Sequence, residues 1–512
     1  DVRTVMAEWN PDRPLTAVGG PLDRGDSFRQ IAAYYTNGRM LISKTHAGNP
    51  QVLSMMAEAK LLDLPDPNVE LVDMNRIQMC YDDLGDVIDL RVKPEDVRMR
   101  REVISLVDMM GKRRCSDIHI VVYEQSCTVR ARIDGMMTLV AEWPPEYGHR
   151  FCAAAFTMAD AADVNYQPYE YQGARVSNRK DLQLPDGVMS LRLQFNPTVF
   201  SGRALIIRLL YSSDEKIAGD IKALGFTSEQ LEDFEFLRAK PFGINIVAGP
   251  TGHGKSTTLQ RNIIAILKEN HYNIAVYTVE DPPEYTIPGA VQMPVVNANT
   301  AEERSRQFTK AIAAALRSNP DRIMIGEVRD AASAQLAFEA AMTGHQVWTT
   351  LHANDAVTIP FRLRDLEVEH YKIGDPDLLT GLISQRLLRI LCPDCCLTVS
   401  ESDYSPAVLA RMQAADIPIE RLRRRNAEGC RNCGIGNGYK GRSVVAEIIL
   451  PDHKFMEYVR ADMKAEAEKY WLTHLGGRNM MEQAIEKMIV GKVDPHDAER
   501  TVGPIALPDR TR

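Results

Sequence analysis

The run Gly249-Pro-Thr-Gly-His-Gly-Lys-Ser256 has the GxxxxGKS spacing that lets a loop close around a chain of phosphates. Its glycines free the backbone N–H groups to turn inward, and a helix starting at its end adds partial positive charge. On this reading Gly249, Pro250, Thr251, Gly252, His253, Gly254, Lys255, Ser256 and Thr257 form the binding loop for ATP. Lys255 would reach the β and γ phosphates, and the Ser256 hydroxyl would coordinate Mg²⁺. His253 stands where serine is commoner, a change that is either neutral or mildly pH-sensitive. Binding a triphosphate does not cleave it, so acids are needed nearby, one for Mg²⁺ and one to orient water. Glu280-Asp281-Pro-Pro-Glu284 and Glu327 are the candidates, each directly after an apolar run. His352 follows another such run, and it either meets the terminal phosphate or is a hydrogen-bonded structural histidine.

A second group of residues suits a metal. Five of the nine cysteines crowd one region, and Cys392-x-x-Cys395 with Cys430-x-x-Cys433 offers four thiolates to a structural Zn²⁺. Four sulfurs would leave no place for water, and Cys396 is a spare thiol. An odd, clustered cysteine count argues against a disulfide framework.

The elements that must carry these residues are legible as patterns. Residues 243–248 form a buried strand entering the phosphate loop, and residues 257–269 form the helix after it. Strands over 274–279, 322–326 and 346–350 deliver the acids and His352 to one edge of a parallel sheet covered on both faces. Asp330 caps a helix over 331–343 that ends at Gly344, where His345 offsets the dipole.

Upstream, period-two alternation through Ile118, Ile120 and Val122 and then Cys127, Val129, Ala131 and Ile133 predicts a hairpin. Asp134-Gly135 makes a second tight turn. Arg130 and Arg132 share the face opposite the apolar one. Two further strands, 188–195 and 204–210, bring Arg192 and Arg208 into the same α+β domain. Residues 1–95 hold no motif that carries chemistry.

The 512 residues exceed one core and imply several domains, and 45% hydrophobic with 25% charged residues is ordinary for globular protein. A net charge of -8 argues against a nucleic-acid partner. The basic runs at 112–114 and 421–425 read as solvated faces. No run approaches the ~20 apolar residues of a membrane-spanning helix, and residues 1–20 lack the apolar core of a signal peptide, so a cytoplasmic location is expected. No fixed-period repeat occurs.

Taken together, GPTGHGKSTTL, TVEDPPEY, NPDRIMIGEVRD, TGHQVWTTLHANDA and CPDC…CRNC resemble the secretion ATPases of the GspE and PilB type, which power type II secretion and type IV pilus assembly. CSDIHIVVYE, VRARIDG and YKGRSVVAEII extend the resemblance over roughly residues 110 to 500. It implies an α/β multidomain protein with a RecA-like P-loop ATPase core. The expected parts are an N-terminal docking region (1–95), a PAS-like α+β domain (96–210), a linker (211–224), the core (225–390), a tetracysteine zinc subdomain (391–440) and a C-terminal helical subdomain (441–512).

The resemblance also implies a homo-hexamer at the inner membrane, working on a platform protein. Glu284 becomes the water-activating glutamate, Glu327 the Walker B acid that holds Mg²⁺ through water, and His352 the histidine-box residue. Arg192 and Arg208, with Arg130 and Arg132 as further candidates, would reach the phosphates. The family's LRxxLRxDPD is here Ile312-Ala313-Ala-Ala-Leu-Arg317-Ser-Asn319-Pro-Asp321, so one arginine and one aspartate are missing. The absence of the zinc insertion in retraction motors of the PilT type favours an assembly motor. A retraction motor, a DNA translocase or conjugation ATPase, and a nucleotide-gated scaffold remain alternatives.

Overall fold

Glycine- and proline-bounded apolar runs become strands here, and alanine-, leucine- and glutamate-rich stretches become capped helices. In this computed structural model the described residues are 11, 14–17, 20–62, 64–82, 94–160, 166, 170–180, 182–199, 202–211, 220–295, 300–435 and 437–508. The chain divides into two compact units, residues 1–101 and 102–512. The first carries helices α1 (Asp26–Arg29), α2 (Pro50–Leu61) and α3 (Met74–Asp82) and strands β1 (Ala32–Tyr34), β2 (Arg39–Ser43) and β3 (Asn68–Val72). β1 and β2 pair antiparallel, β2 and β3 parallel. Phe28, Tyr34, Met40, Val52 and Met55 form its core.

Helix α4 (Pro94–Lys112) begins in the first unit and ends in the second. A six-stranded antiparallel sheet follows: β4 (Asp117–Val122), β5 (Cys127–Ile133), β6 (Met136–Trp143), β7 (Gln172–Ser177), β8 (Val188–Pro197) and β9 (Arg203–Tyr211), with α5 (Pro145–Thr157) between β6 and β7. Its order is β6-β5-β4-β9-β8-β7. Asp134 and Gly135 both have positive φ, 49° and 80°, as the expected turn requires. Most of the expected linker, residues 212–219, lies outside the described residues.

The second sheet positions the phosphate loop. Its elements are α6 (Ser228–Ala239), β10 (Gly243–Ala248), α7 (Lys255–Glu269), β11 (Val276–Glu280), β12 (Ala290–Pro294), α8 (Ala301–Leu316), β13 (Arg322–Ile325), α9 (Ala331–Met342), β14 (Gln346–Leu351), α10 (Thr358–Asp365), α11 (His370–Ile373) and β15 (Leu379–Leu391). Six strands run parallel in the order β12-β11-β13-β14-β10-β15. Alternation along them divides the core: Ile246, Ala248, Ile323 and Val347 pack with Phe338 of α9, while Val247, Met324 and Trp348 pack with Leu259 and Ile263 of α7. Each fully buried Ile, Val, Leu, Met or Phe among them stabilises the layer by about 1.5–3 kcal/mol.

The sheet continues past residue 390. Two-stranded ribbons β16 (Leu397–Thr398) with β17 (Arg423–Arg424), and β18 (Gly429–Cys430) with β19 (Gly434–Ile435), flank α12 (Pro406–Ala414) as an excursion between β15 and β20 (Tyr439–Ile449). β20 pairs antiparallel with β15 as the sheet edge, so residues 441–449 are strand where helix was expected. The cause is the apolar run at its end: Val444, Ala446 and Ile448 pack into the cluster on one face of the sheet, and Val445 and Ile449 into clusters on the other. Helices α13 (His453–Arg460), α14 (Lys464–His474), α15 (Met480–Ile489) and α16 (Pro495–Val502) complete the unit. Among the described residues no helix is long and apolar enough to cross a membrane.

Candidate active site

β10 runs into the phosphate loop, and Gly249, Gly252 and Gly254 take φ of 143°, 81° and 80°, which side chains resist. A Cβ on residue 249 would lie 2.4 Å from the Gln385 carbonyl oxygen, so only glycine fits against β15. α7 starts at Lys255 with Gly254 as its N-cap. Lys255 Nζ donates to the Gly249 and Pro250 carbonyls at 2.8 and 3.1 Å. Burial lowers the Lys255 pKa, while the charges of Glu327 and Glu284 pull it back up, so both acids lie within its field.

Glu327, after β13, accepts Arg329 Nε at 2.6 Å on one oxygen, and its other oxygen lies 2.8 Å from His352 Nε2. His352 is carried there by β14, as its place after that strand predicts. Arg329 also reaches Asp281 Oδ2 at 3.2 Å, and Arg304 approaches the same oxygen at 3.8 Å. Arg329 thus ties the loop after β11 to the loop after β13. Sequence reasoning passed over it, although its place two residues after Glu327 in GEVRD was a usable signal.

The acids after β11 separate by environment. Glu280 is buried and accepts Thr278 Oγ1 at 2.6 Å and Gln292 Nε2 at 2.9 Å, and burial raises its pKa. It braces β11 against β12. Glu284, farther along the loop, is half-buried and within the electrostatic reach of Lys255 and Arg208. Arg208 is anchored by Nε to Asp117 Oδ1 at 2.9 Å. Burial lowers the Arg208 pKa, but Asp117 and Glu284 together raise it above the ordinary arginine value.

Arg192 sits directly across from Arg208 in the β8–β9 register and is exposed, and Arg132 approaches Asp117 at 3.9 Å. Arg130 is opposite His119 on the same face. Thr286 Oγ1, beside Glu284, contacts Met189 Sδ of β8 at 3.6 Å, bringing this sheet to the acidic loop.

His253 is half-buried, and its Nδ1 accepts the Leu387 N–H at 3.0 Å. Burial first, then Arg386, Arg442 and Lys255, lowers its pKa, so the neutral ring with Nδ1 bare is the form held here. The altered segment before β13 makes a turn: Asn319 has φ of 52°, which asparagine tolerates, and Asp321 Oδ2 accepts the Ala275 N–H at 2.8 Å.

The four cysteines converge. Cys392 and Cys430 sulfurs are 3.8 Å apart, Cys395 and Cys433 3.7 Å, and Cys430 and Cys433 3.7 Å. Four Zn–S bonds of ~2.3 Å directed tetrahedrally imply S···S edges of ~3.8 Å, so the donor set fits Zn²⁺. Backbone N–H groups of Cys433 and Asn432 push the Cys430 thiol down to about 7, whereas desolvation and neighbouring sulfurs push Cys395 up. Cys430 is thus the thiol easiest to ionise, and a divalent cation would release the protons of the rest. Cys396 stays outside the cluster, its sulfur near the Pro393 carbonyl. The basic run 421–425 is tied down rather than merely solvated: Arg424 approaches Asp403 at 3.5 Å, and Arg425 Nε donates to the Asn437 carbonyl at 2.7 Å.

A phosphate loop on β10, with Glu327 and His352 at the same edge of a parallel sheet, defines a P-loop ATPase. The chain belongs to the Type II/IV secretion system protein family, which it matches over residues 95–500. It is 32% identical over 381 residues to the type II secretion system ATPase E of Vibrio cholerae, covering 74% of this chain and 70% of that one. It is 34% identical to the type IV pilus assembly ATPase PilB of Thermus thermophilus, covering 73% of this chain and 40% of that longer protein. The crystal structure of the pilus retraction motor PilT with bound ADP shares the fold at 21% identity and a TM-score of 0.50, over 78% of this chain and 96% of that one.

Proposed function

We propose that the chain is one subunit of a hexameric motor that hydrolyses Mg-ATP to drive type IV pilus assembly or type II secretion. The observation that carries the chemistry is the convergence of Lys255, Glu284, Glu327 and His352 at the phosphate-loop edge of one parallel sheet. Lys255 leaves the Gly249 and Pro250 carbonyls for the β and γ phosphates. Glu284 orients the attacking water and takes its proton. Ser256 and Glu327 hold Mg²⁺, the latter through water; the ion supplies charge neutralisation of the phosphates when bound. His352 senses the terminal phosphate through its bond to Glu327, and Arg208 and Arg192 approach from the preceding domain.

Cys392, Cys395, Cys430 and Cys433 hold a structural Zn²⁺, which cross-links the insertion. Residues 1–95 dock the ring to its apparatus, 96–210 form the PAS-like domain, 211–224 let it close on the 225–390 core, 391–440 form the zinc subdomain, and the helices after β20, from residue 453, cover the core. The ring works on the cytoplasmic face of the inner membrane against a platform protein, with no nucleic acid. The names of the relatives support this apparatus.

The test is steady-state ATPase activity with Mg²⁺ for wild type and Glu284→Gln, with DNA or a purified platform protein added in separate wells. Loss of a positioned base costs roughly 10²–10⁴ in turnover, and stimulation is expected from the platform protein alone. Full activity of Glu284→Gln removes the assigned base; stimulation by DNA alone reassigns the machine.

A further inference from the structure

β15 grips the phosphate loop at several points, and the grip has a directional consequence. Gln385 is fully buried; its Nε2 donates to the His253 carbonyl at 2.8 Å and its Oε1 accepts Thr258 Oγ1 at 2.8 Å. Two residues on, the Leu387 N–H donates to His253 Nδ1 at 3.0 Å. From β20, Arg442 donates to the Gly252 carbonyl at 3.4 Å.

In a planar trans peptide the C=O and the next N–H point in opposite directions. Turning the Gly252 and His253 carbonyls toward these strands therefore aims the N–H groups of His253 and Gly254 away from them. A loop that binds phosphate needs its N–H groups turned inward and its carbonyls satisfied elsewhere. Gln385 meets both needs with one side chain, since it holds the loop at His253 and the first turn of α7 at Thr258.

We propose that Gln385 is a positioning residue for phosphate binding, holding the loop's N–H groups in the orientation that receives the β-phosphate. This rests on the nucleotide reading above and deepens it. Gln385 touches no phosphate and acts through the His253 peptide. A methionine there keeps the volume but loses both hydrogen bonds. It lowers affinity for ligands that carry a β-phosphate and leaves the affinity for AMP, which lacks that group, nearly unchanged.

The experiment measures Kd for ADP and AMP on the full chain by competition against a fluorescent ADP, for wild type, Gln385→Met and Thr258→Val. Nucleotide-free melting is recorded for each. The expected result is a roughly tenfold weaker ADP Kd in Gln385→Met, a smaller loss in Thr258→Val, which keeps the His253 contact, and an ADP-to-AMP preference reduced by about the same factor. Equal weakening of ADP and AMP, or unchanged ADP binding, overturns the proposal. If Gln385→Met does not fold, Gln385→Asn, whose shorter side chain falls short of the His253 carbonyl, decides: an unchanged ADP-to-AMP ratio there overturns it, and a reduced one upholds it. Wild type that binds no ADP at all refutes the nucleotide reading instead, so the two failures are distinct.

Discussion

Replacing Cys430 and Cys433 together by serine removes half of the donor set at the tetracysteine site and should release residues 393–438 from their cross-link. The magnitude follows from the loop that the metal closes. Joining Cys392 to Cys433 removes chain entropy worth about 4 kcal/mol for a loop of that length. The loss is local, because α12 and its neighbours have an apolar anchorage of their own: Tyr404, Met412, Ile417 and Leu422 pack with Leu388, Val445 and Met481. The core sheet should therefore persist while the end of the insertion near the cysteines opens more often. A loss of ~4 kcal/mol is about a thousandfold in the opening equilibrium. Hydrogen exchange resolved by peptide reads this directly, and a chromogenic chelator after mercurial treatment counts zinc released per chain. One zinc per wild-type chain, little in the double variant, and fast exchange confined to 393–438 are expected. Full zinc content in the variant, or exchange equal to wild type, refutes the reasoning.

Arg329→Gln breaks the bridge between Asp281 and Glu327. Arg329 is half-exposed, so the stability cost is modest, about 1 kcal/mol, whereas kcat should drop about tenfold as Glu327 loses its hold; melting curves and ATPase rates that both match wild type would contradict this. Glu447 is buried, and burial pushes its carboxyl up to about 7 despite the Ala356 N–H that donates to it at 3.0 Å. The folded state keeps a proton that the unfolded chain releases near 4.5, so this contribution is full below pH 4.5 and is lost as pH rises through 7. Wild type should lose about 3 kcal/mol relative to Glu447→Gln between those limits. Denaturant midpoints at pH 5 and pH 8 check it, and parallel pH profiles for the two proteins would count against the assignment.

Much of the site was legible because its parts are local. The phosphate loop, Glu327 and His352 each follow an apolar run directly, and a strand's direction places the residue after it at one sheet edge. Asp330 sits at its helix start for the same local reason. Arg329, Gln385 and Arg442 escaped notice because their partners lie on other elements: Gln385 meets His253 across 132 positions of chain, and no periodicity encodes that. β20 was hidden behind the insertion, since a strand that returns to its sheet after a long excursion has no nearby partner in the sequence.

Residue order alone determined the phosphate loop, the acidic and histidine positions and the paired cysteines, because bond geometry and strand period act over a few residues. Only the tertiary structure separated the two acids after β11 by their surroundings. Glu280 is spent on Thr278 and Gln292, whereas Glu284 stays within reach of Lys255 and Arg208. It also brought Gln385 and Leu387 of β15 against the phosphate loop. Both outcomes depend on burial and on hydrogen bonds between distant strands, which exist only once the sheet has closed and the competing partners are in place.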